Sequence, residues 1–340
     1  MGNRKNIWIF FRIFALIFVV TTPLLFLCGG GGGETPPSNI AGIVVYHPPT
    51  NEIKYSYYHY IPTSALQRNP VRVLLYGHGS PKLDTYSQME EYVRTSEIPR
   101  IKSYCDTYGY ALVIMVTPRS FGPYPDYKMN TQSMARWVMF NNRFDKSKYK
   151  FYKRPDLLFI KVIDDFMNFL SSNGYTPYPK VFMTGFSNGG MQSNRFPILH
   201  PGKVAATAIG AAGAFLYPVE IWSGITLTYP VGTSDIGKIP GSTYSLAAFK
   251  QIPHFIFVGE NDLNYNNDPV NFDDNYDRDQ ATIINTYFGS NAVERARNFA
   301  DYLNLINMQS TAKVYPGVGH NYTSQMLVET FNFFDSVSTQ

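Results

Sequence analysis

The sequence predicts an α/β protein with a mostly parallel central sheet and helices on both faces. Three observations carry this. From Val71 onward, short and near-continuous apolar runs alternate with segments whose apolar residues recur at helical spacing. Of the 340 residues, 44% are hydrophobic and only 16% charged, which is enough apolar material for a large core. No internal repeat and no second Pro/Gly/Ser-rich linker follows residue 39, so residues 40–340 read as one domain.

Residues 1–39 are expected to lie outside that domain. Arg4 and Lys5 open the chain, and Ile13 to Leu27 is apolar apart from Thr21, Thr22 and Pro23. Arg12 interrupts the run, leaving it shorter than the ~20 residues needed to span a bilayer and closer to a signal peptide's apolar core. Cys28 follows, then Gly29–Gly33 and Glu34-Thr35-Pro36-Pro37-Ser38-Asn39. The arrangement is similar to a bacterial lipoprotein signal, with Leu25 three positions before the cysteine. That resemblance implies a signal peptide over 1–28, lipidation of Cys28, and a flexible tether over 29–39. An uncleaved anchor and simple secretion are the other readings. All three place the body outside the cytoplasm, in the cell envelope or extracellular space, and the first two anchor it to a membrane.

The domain reads in order as follows. Val71–Tyr76 is an apolar strand ending at Gly77-His78-Gly79. Tyr86–Tyr108 is helical, with Pro99 expected to kink or split it. Ala111–Val116 is a second strand. Leu157–Leu170 has helical spacing, with Ile160, Ile163, Phe166 and Phe169 on its apolar positions. Val181–Thr184, Val204–Ile209 and His254–Val258 are further strands. Val293–Ile306 is a helix, Thr311–Tyr315 a strand, and Ser324–Phe334 a closing helix. In such a sheet the chemistry belongs at the carboxyl ends of the strands.

Charge and cysteine content exclude several functions. The net charge is +4, and Arg4, Lys5 and Arg12 supply most of it. The near-neutral body lacks the basic face that nucleic-acid binding needs. Two cysteines, Cys28 and Cys105, exclude a disulfide scaffold and a cysteine-rich zinc site. Cys105, inside a helical segment, reads as a buried thiol.

Gly185-Phe186-Ser187-Asn188-Gly189-Gly190 matches G-x-S-x-G between a strand and a segment that can form a helix, Met191–Arg195. The chemistry needs that strand–turn–helix. The turn strains the serine backbone, its neighbours at ±2 must lack side chains, and the hydroxyl stands at a helix N-terminus. A serine nucleophile needs a base, and in this arrangement acid and base follow it as Ser, Asp or Glu, His. Of the six histidines, His47, His59 and His78 precede Ser187; His200 lies just past the elbow helix and His254 opens a strand. His320, in the loop Pro316-Gly317-Val318-Gly319, is left as the base. Gly259-Glu260-Asn261-Asp262 follows a late strand, and Asp262 is the acid of choice, with Glu260 the alternative. Asp268, Asp273 and Asp274 lie further along an acidic loop, which also admits a weak calcium reading. The oxyanion donors are the Asn188 amide and an amide of the early loop Tyr76-Gly77-His78-Gly79-Ser80, best Ser80. His78 is expected to shape that loop.

These residues resemble the α/β-hydrolase superfamily, and more narrowly its polyhydroxybutyrate depolymerase and feruloyl esterase-like branch. Tyr58-His59-Tyr60-Ile61-Pro62 and Val73–Gly79 are similar to the branch's opening strands and HG loop. Asp156–Ile160 with Ile163-Asp164 resembles its pre-elbow helix, and Val181–Met191 its elbow. Gly259–Asp262 and Gly319-His320 stand where its acid and base belong. Ser80 replaces the branch's usual cysteine, and Tyr322 its tryptophan. Two segments, near 215–253 and 263–292, are longer than usual and read as lid or specificity loops. In the first, Tyr217, Trp222 and Tyr229 either line a pocket or pack the loop down. The resemblance implies an exported serine hydrolase of carboxylic esters, with polyester, feruloylated or acylated polysaccharide, or small esters as substrates. It implies no metal and no organic cofactor. A non-catalytic binding protein on the same scaffold and a serine peptidase are the alternatives.

Overall fold

The structure is a computed structural model that describes residues 40–81, 83, 85–118, 131, 133–140, 153–262, 276–308, 310 and 312–338. The signal segment, Cys28, the tether and the acidic stretch 263–275 lie outside the described residues. The strands are β1 Val44–His47, β2 Tyr57–Tyr60, β3 Arg72–Gly77, β4 Tyr110–Met115, β5 Val181–Phe186, β6 Val204–Gly210, β7 Ile221–Trp222, β8 Ile225–Thr226, β9 His254–Gly259 and β10 Ala312–Tyr315. Eight of them form one sheet in the order β1-β2-β4-β3-β5-β6-β9-β10. Only the pairings of β2, with β1 and with β4, are antiparallel. From β4 to β10 every neighbour runs parallel.

Every residue of β4 and β5 is buried. Successive strand side chains point to opposite faces, so uniform burial means that both faces are covered. The elbow helix Asn188–Leu199 lies against β3, β5 and β6, and helix Ala292–Leu305 against β9 and β10. The C-terminal helix Ser324–Ser338 packs on β6, β9 and helix Ile98–Tyr108. The chain leaves β3 toward β4 on one side and reaches β5 on the other. That reversal opens a crevice at the carboxyl ends of β3 and β5, where ligands bind in sheets of this type.

Pro99 does not end its helix. Tyr86–Tyr92 runs through a π turn, Val93–Glu97, into Ile98–Tyr108, with the proline in the first turn of the last piece. The Ile98 N–H bonds Val93 O, five residues back. The wide turn absorbs the residue whose ring cannot take the ordinary ladder, as π-bulges do. The second long segment reads as a loop, but its described residues, 276–292, contain helix. A helix Arg278–Ile283 continues into a π turn, Ile284–Phe288. Its start is a capping box: Gln280 N–H donates to Asp277 Oδ1, and Asp277 N–H to Gln280 Oε1. In the other long segment, β7 and β8 form a hairpin with Ser223 at φ 49° and Gly224 at φ 79°, the left-handed pair of a tight two-residue turn.

A buried ionic cluster joins the two helices that flank the elbow. Arg154 Nε donates to Asp156 Oδ1 at 2.9 Å and its Nη2 to Oδ2 at 2.6 Å, while His200 Nε2 lies 2.8 Å from Oδ2. Burial pushes the Asp156 carboxyl up, but the bonds from His200 and Arg154 outweigh it and hold it below the ordinary carboxylate range. Asp156→Ala would leave two buried donors without their acceptor, and is expected to cost about 3–5 kcal/mol in urea unfolding. A loss under about 1 kcal/mol would show that the cluster does not hold the helices.

Two other histidines set an acid limit. Burial lowers His254 to about 4. Burial, and then the neighbouring His47, lowers His59 to about 4. The unfolded chain takes up protons at both near the ordinary value of 6.5, and the folded chain does not, so stability falls as pH drops from about 6.5 toward 4. The urea midpoint at pH 4.5 is expected below that at pH 7, and His254→Gln should flatten this dependence. Equal slopes in parent and variant would overturn the assignment.

Candidate active site

Ser187 sits between β5 and the elbow helix at φ 59° and ψ −120°. A non-glycine residue there stores about 1–3 kcal/mol of strain. The Ser187 N–H donates to Gly210 O and the Met191 N–H to Ser187 O, each at 3.0 Å, which fixes the turn from both sides. The glycines around it are explained by close approach. A Cβ on Gly185 would lie 2.5 Å from Gly189 C and O. One on Gly189 would collide with Gly77 O, and one on Gly190 with Gly210 O. The helix backbone therefore rests directly on the ends of β3 and β6.

Ser187, His320, Gly79 and Ser80 line one open pocket of about 270 Å³. His320 Nδ1 lies 3.0 and 2.9 Å from the two oxygens of Asp262. An Nδ1–H donated to Asp262 fixes the tautomer and leaves Nε2 as the ring's acceptor. Asp262 is 1% exposed. The two loops that carry this pair are bonded to one another. Glu260 N–H donates to Tyr315 O and Asn261 N–H to Val318 O. Glu260, the alternative acid, accepts from the Gly317 N–H at 2.9 Å instead, so it supports the histidine loop while Asp262 meets the ring. Tyr322 stacks on Phe257 and on Phe186, whose ring lies 4.9 Å from that of His320, and its hydroxyl lies 3.2 Å from the Thr184 hydroxyl.

Asn188 is the first residue of the elbow helix and is buried. His78 shapes the early loop as expected: its Nδ1 donates to Gly79 O at 2.6 Å and its Nε2 accepts the Thr117 N–H at 2.9 Å. Burial pushes its pKa down, consistent with a neutral ring that donates at one nitrogen and accepts at the other. Cys105 is buried and free, and burial pushes its thiol up. Tyr217, Trp222 and Tyr229 are not among the residues lining the Ser187 pocket. Tyr217 and Trp222 pack on Phe288 and Tyr302, and the Tyr229 hydroxyl donates to Met134 O, so this trio holds the insertion down. Asp268, Asp273 and Asp274, and the calcium reading with them, lie outside the described residues.

The sequence reading passed over one part of this pocket. Tyr92, Glu97 and Arg100 line it as well. Glu97 is fully buried. Its Oε1 accepts from the Gly79 N–H at 3.2 Å and from the Tyr92 hydroxyl; its Oε2 accepts from the Tyr76 hydroxyl and Arg100 Nη1, each at 2.8 Å. The signal was present. Glu97 interrupts the stripe Val93, Ile101, Cys105, placing a carboxyl on the apolar face of a helix.

The chain matches no family model and no curated protein. It does share its fold with solved structures. Poly(aspartic acid) hydrolase-1 from Sphingomonas sp. KT-1 superposes with a TM-score of 0.55 at 15% identity, over 88% of this chain and 97% of that one. A poly(3-hydroxybutyrate) depolymerase from Bordetella parapertussis gives 0.55 at 16% identity, over 87% and 90%. With the sheet order above, these likenesses make the fold an α/β-hydrolase fold.

The close approach of the elbow is directly testable. Gly189→Ala and Gly190→Ala are each expected to lower stability by at least about 2 kcal/mol, as overpacked sites do. Gly202→Ala and Gly237→Ala, whose added Cβ meets nothing within 4 Å, should leave the melting midpoint nearly unchanged. Equal effects in the two pairs would sink the packing argument.

Proposed function

We propose that the protein is a serine hydrolase of carboxylic esters. The observation that carries this reading is the Asp262–His320 pair, its ring bonded at Nδ1, in one pocket with a strained serine at a helix N-terminus. In this reading His320 Nε2 takes the Ser187 proton as Oγ attacks the ester carbonyl. The developing oxyanion is held by the Asn188 amide and by the Ser80 amide; the Gly79 amide is engaged by Glu97. His320 then protonates the departing alcohol, leaving an acyl-serine. Water, deprotonated by the same ring, attacks that carbonyl and releases the acid.

The resemblance of residues 181–191 to the depolymerase and feruloyl esterase-like branch supports a polyester, a feruloylated or acylated polysaccharide, or a small ester as substrate. Residues 1–39 support export with lipidation at Cys28, which would hold the enzyme at a membrane facing its substrate.

The test is turnover of p-nitrophenyl esters of increasing chain length. Ser187→Ala is expected to lower kcat about 10⁶-fold and Asp262→Asn about 10⁴-fold. The chain-length preference would measure the acyl side of the pocket. A folded protein that turns over none of these esters would favour the binding-protein reading over the enzyme.

A further inference from the structure

The ion pair in the pocket wall is exposed at one end only. The Glu97 side chain is 0% exposed and that of Arg100 is 36%. Two carboxylate oxygens offer about four lone-pair sites, and Glu97 already accepts from four donors. It has nothing left to offer a ligand and no surface by which to be reached. Arg100 is the opposite case: a guanidinium carries donors only, and part of it lies open on the same pocket as Ser187 and His320. Glu97 holds the guanidinium through Nη1, so the side chain is oriented before a ligand arrives, which reduces the ordering cost on binding. No other carboxylate lines the pocket among the described residues.

We propose that Arg100 is an anion anchor and that the substrates are esters bearing a free carboxylate, on the acyl or the alcohol side, within reach of the guanidinium. A neutral acceptor would also bind there, but a carboxylate meets the planar fork with two charge-assisted bonds, which are shorter and about twice as strong. This inference rests on the ester-hydrolase reading and narrows it to a substrate class. Arg100 acts as a specificity determinant, since it binds the substrate away from the bond that breaks.

The experiment compares matched ester pairs on the full-length protein. p-Nitrophenyl pentanoate is set against p-nitrophenyl hemiglutarate for the acyl side, and phenyl butyrate against 4-carboxyphenyl butyrate for the alcohol side. Arg100→Gln alone would leave Glu97 buried without its cation, so the double variant Glu97→Gln/Arg100→Gln is measured beside it. The kcat/KM ratio of charged to neutral ester is expected to fall about ten- to a hundredfold in the double variant for one of the two pairs, chiefly through KM. Arg100→Lys should retain part of the ratio, and added salt should lower it in the parent. A parent that turns over neither ester would overturn the hydrolase reading. The anchor is then judged by titrating Ser187→Ala protein with monoethyl glutarate, whose affinity should drop by the same factor when Arg100 is replaced. A ratio and an affinity that both survive the double variant would overturn the anchor.

Discussion

The site depends on how closely the backbone of the elbow helix approaches the ends of β3 and β6. Gly77, Gly185, Gly189, Gly190 and Gly210 meet there with no room for a Cβ on the elbow glycines. That contact places a helix N-terminus at the sheet edge and turns the chain through the positive φ of Ser187. The strain is sustained because the surroundings over-determine it. Each residue of the elbow helix is buried, and even Arg195 is enclosed, donating to Ser133 O and the Tyr276 hydroxyl. A looser helix would relax the serine, and with it the position of the Asn188 amide.

Asp262 and His320, the proposed acid and base, sit on loops that follow the neighbouring parallel strands β9 and β10. Their alignment is a backbone matter before it is a side-chain one. Gly259 lets the loop Val318-Gly319 cross directly over the end of β9, where a Cβ would lie 2.5 Å from Gly319 O. The bonds from Glu260 and Asn261 to the histidine loop then set the spacing that brings Asp262 against His320. Two acidic residues two positions apart thus divide the work: one braces a backbone and the other orients a ring.

The sequence carried the parallel core well, and it named the three residues that the proposed reaction uses, for reasons the structure makes plain. Strands buried on both faces read as continuous apolar runs, so β3, β4, β5, β6 and β9 were legible within a residue or two. The order Ser, acid, His is a topological constraint, and with a single suitable histidine after the elbow it selected His320. The edge strand β1 and its neighbour β2 were poorly legible from periodicity, because Val-Val-Tyr-His lies half exposed at the sheet edge and Tyr-Tyr-His-Tyr carries polar rings in buried places. Tertiary partners hold those rings: His47 stacks on Tyr57 at 4.1 Å, and its Nε2 lies 2.8 Å from His59 Nδ1. Helix Arg278–Ile283 was missed because its polar composition hid an Asp277–Gln280 capping box.

Glu97 was legible only as a carboxyl on an apolar helix face: its role exists only once β3, the π turn and the elbow are assembled. A buried carboxylate bonded to Gly79 stands one residue from the amide assigned to the oxyanion. Uncompensated, its charge would oppose the negative charge that develops on the substrate oxygen in the proposed reaction, and in a partly buried site such opposition is poorly screened. Arg100 removes that conflict by pairing with it. The arrangement therefore reconciles two needs that conflict for a lone acid, a strong acceptor to fix the Gly79 backbone and a neutral field beside the oxyanion. The cation that achieves this is left facing the pocket. On the proposed ester-hydrolase reading, the charge that makes the loop tolerable for catalysis is the same charge proposed to select what enters.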